Sequence, residues 1–191
     1  MPPQIKITKE DIIKTALDII RHKSEEALNA RNIAAALNCS TQPIFSNFAN
    51  MDELFQAVVN SAFELYLSFL KREAESGEYP IYKAIGMGYI RFANEEKQLF
   101  KLLFMRDRAK SSYIPTSDFD YAVSTIMESN GISKETAELV HLEMWSCVHG
   151  IATMLATSFL SLEWQLISDM ISDVYYGIRI KHLGGSVNEC N

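Results

Sequence analysis

Cysteine is scarce in this sequence: Cys39, Cys147 and Cys190 are odd in number and far apart, which excludes a disulfide framework and any zinc-ligand spacing. A reducing, cytoplasmic setting is the expectation. Glycine (8) and proline (5) are too few among 191 residues, and too widely spaced, for the turn-rich chain of a sandwich or barrel, so an all-α fold is expected. No run of 18 uninterrupted apolar residues occurs. Its longest approach, 144–162, is broken by His149 and several Ser and Thr and reads as a buried helix. Lys6, Lys9 and Asp11 likewise break up any signal-peptide run at the N-terminus.

Catalytic motifs are missing too: no GxSxG, P-loop, GxGxxG, HExxH or CxxC is present. His141 and His149 are eight residues apart on one predicted helix, about 12 Å, too far for one ion to bridge. Cys147 and His149, two apart, point in different directions. Neither an enzyme, nor a metal site, nor a cofactor is expected.

What the chain does have is 48% apolar residues, enough for a substantial core, and an uneven charge distribution. Net charge is −6, yet residues 1–50 hold six Lys and Arg against five Asp and Glu, so all of the net acidity lies beyond residue 50. Only the N-terminal segment has a balance that lets a polyanion approach.

Ile12, Ile13, Ala16, Leu17, Ile19 and Ile20 recur at helical spacing behind Thr8, with Asp11 completing a variant capping box, which predicts a helix over 9–23. Asn29 then caps a short helix over 30–37, and Asn38 supplies a left-handed turn. Ser40 is expected to cap a second short helix over 41–48. Two short helices around a tight turn make a helix-turn-helix. Ala34 is small enough for a close crossing, and Ile44 and Phe48 pack inward. Thr41, Gln42, Pro43, Ser46 and Asn47 face outward, a short and uncharged set suited to base edges in a major groove.

The run from Asn29 to Phe48, continuing through Ala49-Asn50-Met51-Asp52-Glu53-Leu54, resembles the helix-turn-helix of the TetR family of transcriptional regulators, over about residues 8–60. The resemblance implies base contacts from Arg31, Thr41, Gln42 and Pro43, and backbone or adjoining-base contacts from Phe45 and Asn47. Three positions depart from the family pattern. Asn38 stands where Gly is usual, Phe45 where a Tyr usually reaches a phosphate, and Met51 where a Lys usually does, which weakens the phosphate clamp. Compensation is expected from the start of the fourth helix, where Asn50 caps with Glu53 three residues on, and from Lys6, Lys9 and Arg31.

Beyond the head, a long helix is predicted over 51–75, then helices over 80–94, 96–105, 117–130, 134–161 and 163–182, about nine in all. The basic, Pro115-containing segment 106–117 reads as a mobile loop. The division expected is a DNA-binding domain over 1–50 and an effector-binding and dimerisation domain over 51–191. The resemblance implies an enclosed effector pocket among Phe63, Tyr66, Tyr89, Phe92, Phe100, Phe104, Met105 and Phe119, for an apolar or aromatic small molecule; ordinary core packing is the competing reading. Trp145-Ser146-Cys147-Val148-His149-Gly150 is similar to a Trp-x-x-x-His-Gly motif of some TetR-type C-terminal domains. Trp145 and His149 share a helix face, and Gly150 is expected to admit a second helix backbone.

Leu139, Leu142, Val148, Ile151 and Leu155, with Trp164, Ile167, Ile171, Val174, Tyr175 and Ile178, offer more apolar surface than one small core absorbs. A homodimer through about 134–182 is therefore expected. The functional expectation is a ligand-responsive regulator, a repressor, gripping a near-palindromic duplex DNA operator. The alternative is a helical protein-interaction module without DNA affinity.

Overall fold

The computed structural model describes residues 7–106 and 117–183. Among them are nine α-helices, one 3-10 turn and no strand. Lys6, Cys190 and residues 107–116 of the loop expected over 106–117 lie outside the described residues.

The chain divides into two compact units, the first made of residues up to Leu67 together with Glu96–Arg106, the second of Ser68–Glu95 and the chain from Asp107 on. In the first, α1 (Lys9–His22) starts at the expected capping box: Thr8 Oγ1 accepts the Asp11 N–H at 3.1 Å, and Asp11 Oδ2 accepts the Thr8 N–H at 3.0 Å. Ile12, Ala16, Leu17 and Ile20 form its buried stripe. A 3-10 turn, Glu25–Ala27, links α1 to the next helix.

Helix α2 (Ala30–Ala36) begins where Asn29 Oδ1 accepts the Asn32 N–H at 2.9 Å. It ends as expected on Asn38 at φ +51°, with Cys39 N–H donating to Ala34 O and Asn38 N–H to Ala35 O, so both carbonyls are satisfied across the turn. Helix α3 (Gln42–Asn47) does not use the Ser40 cap. Thr41 holds the cap position without a side-chain bond. Pro43 has no N–H, and Ile44 N–H already donates to Thr41 O at 3.2 Å, so little remains for a hydroxyl to satisfy. Ile44 and Phe48 are buried as expected.

Helix α4 (Met51–Ser76) is one continuous helix that contributes to both units. Helix α6 (Lys97–Phe104) belongs to the first, burying Leu99, Phe100 and Leu102. Its start is fixed by Arg21 of α1, which donates from Nε and Nη2 to the two carboxylate oxygens of Glu96 at 2.9 Å each, and from Nη1 to Asp18. Just past its end, Arg106 pairs with Glu25 at 3.1 Å and lies over the Phe55 ring.

The second unit comprises the C-terminal part of α4 with α5 (Ile81–Glu95), α7 (Ser117–Asn130), α8 (Lys134–Ala156) and α9 (Trp164–Leu183). Its core includes Met87, Ile90, Phe92, Val140, Met144, Ile151, Ile167 and Ile171. Helix α8 stops five residues short of the expected 161. Ser158 adopts a left-handed φ of +57°, and Phe159 N–H donates back to Met154 O, closing the helix with a residue that gives no glycine signal in sequence.

Two expectations are corrected here. A Cβ on Gly150 would meet nothing within 4 Å; the glycine that admits a close backbone is Gly88, whose Cβ would come within 2.9 Å of Leu70 Cα. Val148, Ile151, Leu155, Ile167, Ile171 and Ile178 bury themselves in the chain's own core, while Leu139 and Leu142 of α8 and Leu166 of α9 stay exposed. The surplus apolar surface is smaller than the periodicity implied.

Candidate nucleic-acid interface

Helices α2 and α3 determine the geometry of the head. With Ile44 and Phe48 turned into the core, residues 42, 45 and 46, at helical spacing on the opposite side of α3, are all exposed. Gln42 and Ser46 are exposed; the Ser46 hydroxyl donates to Gln42 O at 2.9 Å, which leaves its oxygen as an acceptor. Phe45 is 49% exposed, between two polar side chains. The ring thus lies on the outward face of α3.

Thr41 and Pro43 are half-buried at the start of the same face. Asn47 is half-buried, and its amide already donates to Pro43 O at 2.8 Å and Ile7 O at 3.4 Å, so it ties the chain before α1 to α3. Arg31, on the first turn of α2, is exposed with no ion pair among the described residues. Lys9 is less available: its ammonium lies 3.6 Å from Glu53 and 5.0 Å from the centre of the Phe48 ring.

The start of α4 departs from the compensation expected of it. Asn50 Oδ1 accepts the Glu53 N–H at 2.8 Å as foreseen, but the Glu53 carboxylate reaches the Ala49 N–H at 2.6 Å. Those donors are spent internally, and Asp52 and Glu53 place two carboxylates in the first turn. What remains for a phosphate is the backbone at Met51 and Asp52, beside a half-buried Met51 side chain and an exposed Asn50. The positive end of the helix is thus already matched by its own acids.

The residues expected around an effector fall in both units. In the first, Tyr66 packs against Phe63 and Phe104 at ring distances of 5.4 and 5.0 Å, and Phe104 against Phe100 at 5.3 Å, while Met105 is exposed. In the second, Phe92 packs edge-on with Phe69 at 5.4 Å. Trp145 stacks on His149 at 4.7 Å and 15°, and the Tyr89 hydroxyl lies 2.8 Å from His149 Nδ1. His149 is therefore positioned by hydrogen bonding and stacking.

A second pair of this type escaped sequence reading: the Tyr82 hydroxyl lies 3.0 Å from Nδ1 of buried His141, with Phe119 edge-on to that ring at 4.7 Å and Tyr175 at 6.0 Å from Tyr82. Burial pushes the Tyr82 hydroxyl far above the usual phenol range, keeping it neutral. The signal was present as matched spacing, seven residues between the tyrosines of α5 and eight between the histidines of α8, which sets two turns of one helix beside two turns of the other. Lys83, donating to the hydroxyls of Ser168 and Ser172 at 2.7 and 2.8 Å, and Arg91, bonded to buried Glu73 and lying over Trp164, also hold this unit together. Burial raises the Cys147 thiol above its ordinary value, which disfavours the thiolate. Among the described residues no cluster of three potential metal ligands occurs, and no helix is long and apolar enough to cross a membrane.

No protein-family profile matches the sequence, and no curated protein matches it at significance. Solved structures do match. A Rhodococcus sp. RHA1 protein of unknown function superposes with a TM-score of 0.72 at 18% identity, over 96% of this chain and 99% of that one. A putative TetR-family transcriptional regulator from Vibrio parahaemolyticus gives 0.62 at 13% identity, covering 88% and 97%. A TetR-family regulator from Haemophilus influenzae gives 0.62 at 15%, covering 88% and 94%. The chain has the all-helical fold of the TetR-family transcriptional regulators.

Proposed function

We infer that this protein is a transcriptional regulator, a repressor that binds a near-palindromic duplex DNA operator as a homodimer and is released by a small-molecule effector. The observation that carries the reading is the α2–turn–α3 unit, with Ile44 and Phe48 anchored inside and Gln42, Phe45 and Ser46 outward, in a chain of this fold. Arg31, Thr41, Gln42, Pro43 and Phe45 serve the base edges. Asn47 orients α3 through its backbone bonds, and Asn50 and Met51 lie beside the phosphates. A two-fold operator requires two heads about 34 Å apart, which a C2 dimer supplies through α8 and α9, where Leu139, Leu142 and Leu166 are exposed.

The head is taken as the DNA-binding part, and the later helices as the effector-binding and dimerising part. An apolar or aromatic effector is assigned to the aromatic residues of the second unit, Tyr89, Phe92, Phe119, Trp145 and His149, while Phe63, Tyr66 and Phe104 pack among themselves in the first; it acts by favouring a head spacing that no longer matches the operator. The setting proposed is the cytoplasm, and no catalysis is assigned. Selection of bound sequences from a random duplex library tests the reading. Enrichment of two similar half-sites about one helical turn apart is expected; absence of enrichment would leave the helical interaction module as the better reading.

A further inference from the structure

We propose that Phe45 is a specificity-determining residue that reads thymine through its 5-methyl group, in place of any phosphate contact from this position. The inference rests on the DNA-binding reading above and assigns the recognition chemistry of that site.

Phe45 is the one large apolar side chain on the outward face of α3, at the third residue after Gln42 and directly before Ser46, both exposed. Half of its surface is left in water although a Phe ring elsewhere in the head, Phe48, is buried. An exposed ring without a hydroxyl can neither donate to a phosphate nor accept from a base edge. The apolar feature that the floor of the major groove offers is the thymine methyl. Helix α3 itself carries no charge, Lys9 lies 3.6 Å from Glu53, and Asp52 and Glu53 occupy the first turn of α4, while the exposed cation Arg31 belongs to α2. Discrimination by apolar contact is what such a surface retains.

The experiment uses the full chain and duplexes selected from a random library, with each thymine of the enriched site replaced in turn by deoxyuridine, which removes only the methyl group. A three- to fivefold loss of affinity is expected at one position in each half-site, the scale of uncovering one methyl group. Phe45→Ala should bind the thymine and deoxyuridine duplexes equally at that position, and Phe45→Leu should keep part of the preference. Because Phe45 is exposed, the alanine variant should retain the melting temperature of the parent. Equal binding of both duplexes by the parent chain overturns the inference alone. A methyl preference that persists in Phe45→Ala overturns it as well, assigning the contact to a neighbour such as Pro43. If no duplex is enriched, the DNA-binding reading fails, and the inference with it.

Discussion

Arg21 of α1 clasps both carboxylate oxygens of Glu96, the residue at the start of α6, 75 positions away in sequence. Both side chains are partly shielded, 32% and 18% exposed, so the pair is worth more than a surface ion pair. Arg21→Ala and Glu96→Ala should each destabilise the head by about 1–3 kcal/mol, and the double variant by clearly less than their sum. Denaturant unfolding of the four proteins checks this; strict additivity would mean the two groups do not act together.

The Thr8 backbone N–H, followed by its hydroxyl, holds the Asp11 carboxyl below the usual carboxylate range. A carboxyl whose folded value is depressed stabilises above the unfolded value, and that contribution is lost as pH falls through the folded one. Stability should therefore drop on acidification below the ordinary Asp range. Thr8→Ala should lower the melting temperature by a few degrees at neutral pH, and somewhat less in acid, where the parent has lost the bond from its hydroxyl to the Asp11 carboxylate but still accepts the Asp11 N–H. An equal loss at both pH values would contradict this assignment.

Much of the fold was legible because it is encoded locally. Thr8 and Asp11, Asn29, and the apolar stripe of α1 act over three to eight residues, a range that periodicity captures. Asn38 was readable as a left-handed turn, whereas Ser158 was not, since serine carries no such expectation. Ser40 failed as a cap because Pro43 had already removed the need for one. At the candidate interface spacing gave Gln42 and Ser46 as outward positions, whereas Thr41, Pro43 and Asn47, expected beside them, are half-buried and Phe45 is exposed. The capture of Ala49 N–H by Glu53 was not legible, since it depends on how the chain turns between Phe48 and Met51. Arg21 and Glu96 lie 75 residues apart and one sequence carries no record of such a contact, while Tyr82 and His141, 59 apart, left only the indirect trace of spacing matched to Tyr89 and His149.

Two glycines of α5 should behave oppositely. A methyl group on Gly88 would meet the backbone of α4 at 2.9 Å from Leu70 Cα and 3.0 Å from Phe69 O, atoms that cannot swing aside. Gly88→Ala should cost about 1–3 kcal/mol. Gly86→Ala meets only a Val148 methyl at 3.4 Å and should be neutral or slightly stabilising, since alanine favours a helix interior by roughly 0.5–1 kcal/mol. Thermal unfolding of both variants distinguishes this from a uniform helix-propensity effect, which would stabilise the two alike.

Met51 stands beside the spare donors of α4 and supplies no charge of its own. Met51→Lys should tighten binding to every duplex by a similar factor and steepen its salt dependence by up to about one counterion. Equal salt slopes for the two proteins would show that residue 51 does not face the DNA backbone.

The measurement that bears most directly on a dimeric DNA-binding regulator is sedimentation of the full chain with a duplex selected by it, across a range of salt concentrations. Two chains per duplex are expected, with affinity falling steeply as salt rises. Leu142→Asp, which places a charge on an exposed leucine of α8, should sediment as a folded monomer with greatly weakened duplex binding. One chain per duplex would contradict the dimer, a Leu142→Asp protein that still binds as a pair would remove this face of α8 from its interface, and a duplex that sediments free of protein at every salt concentration would contradict DNA binding itself.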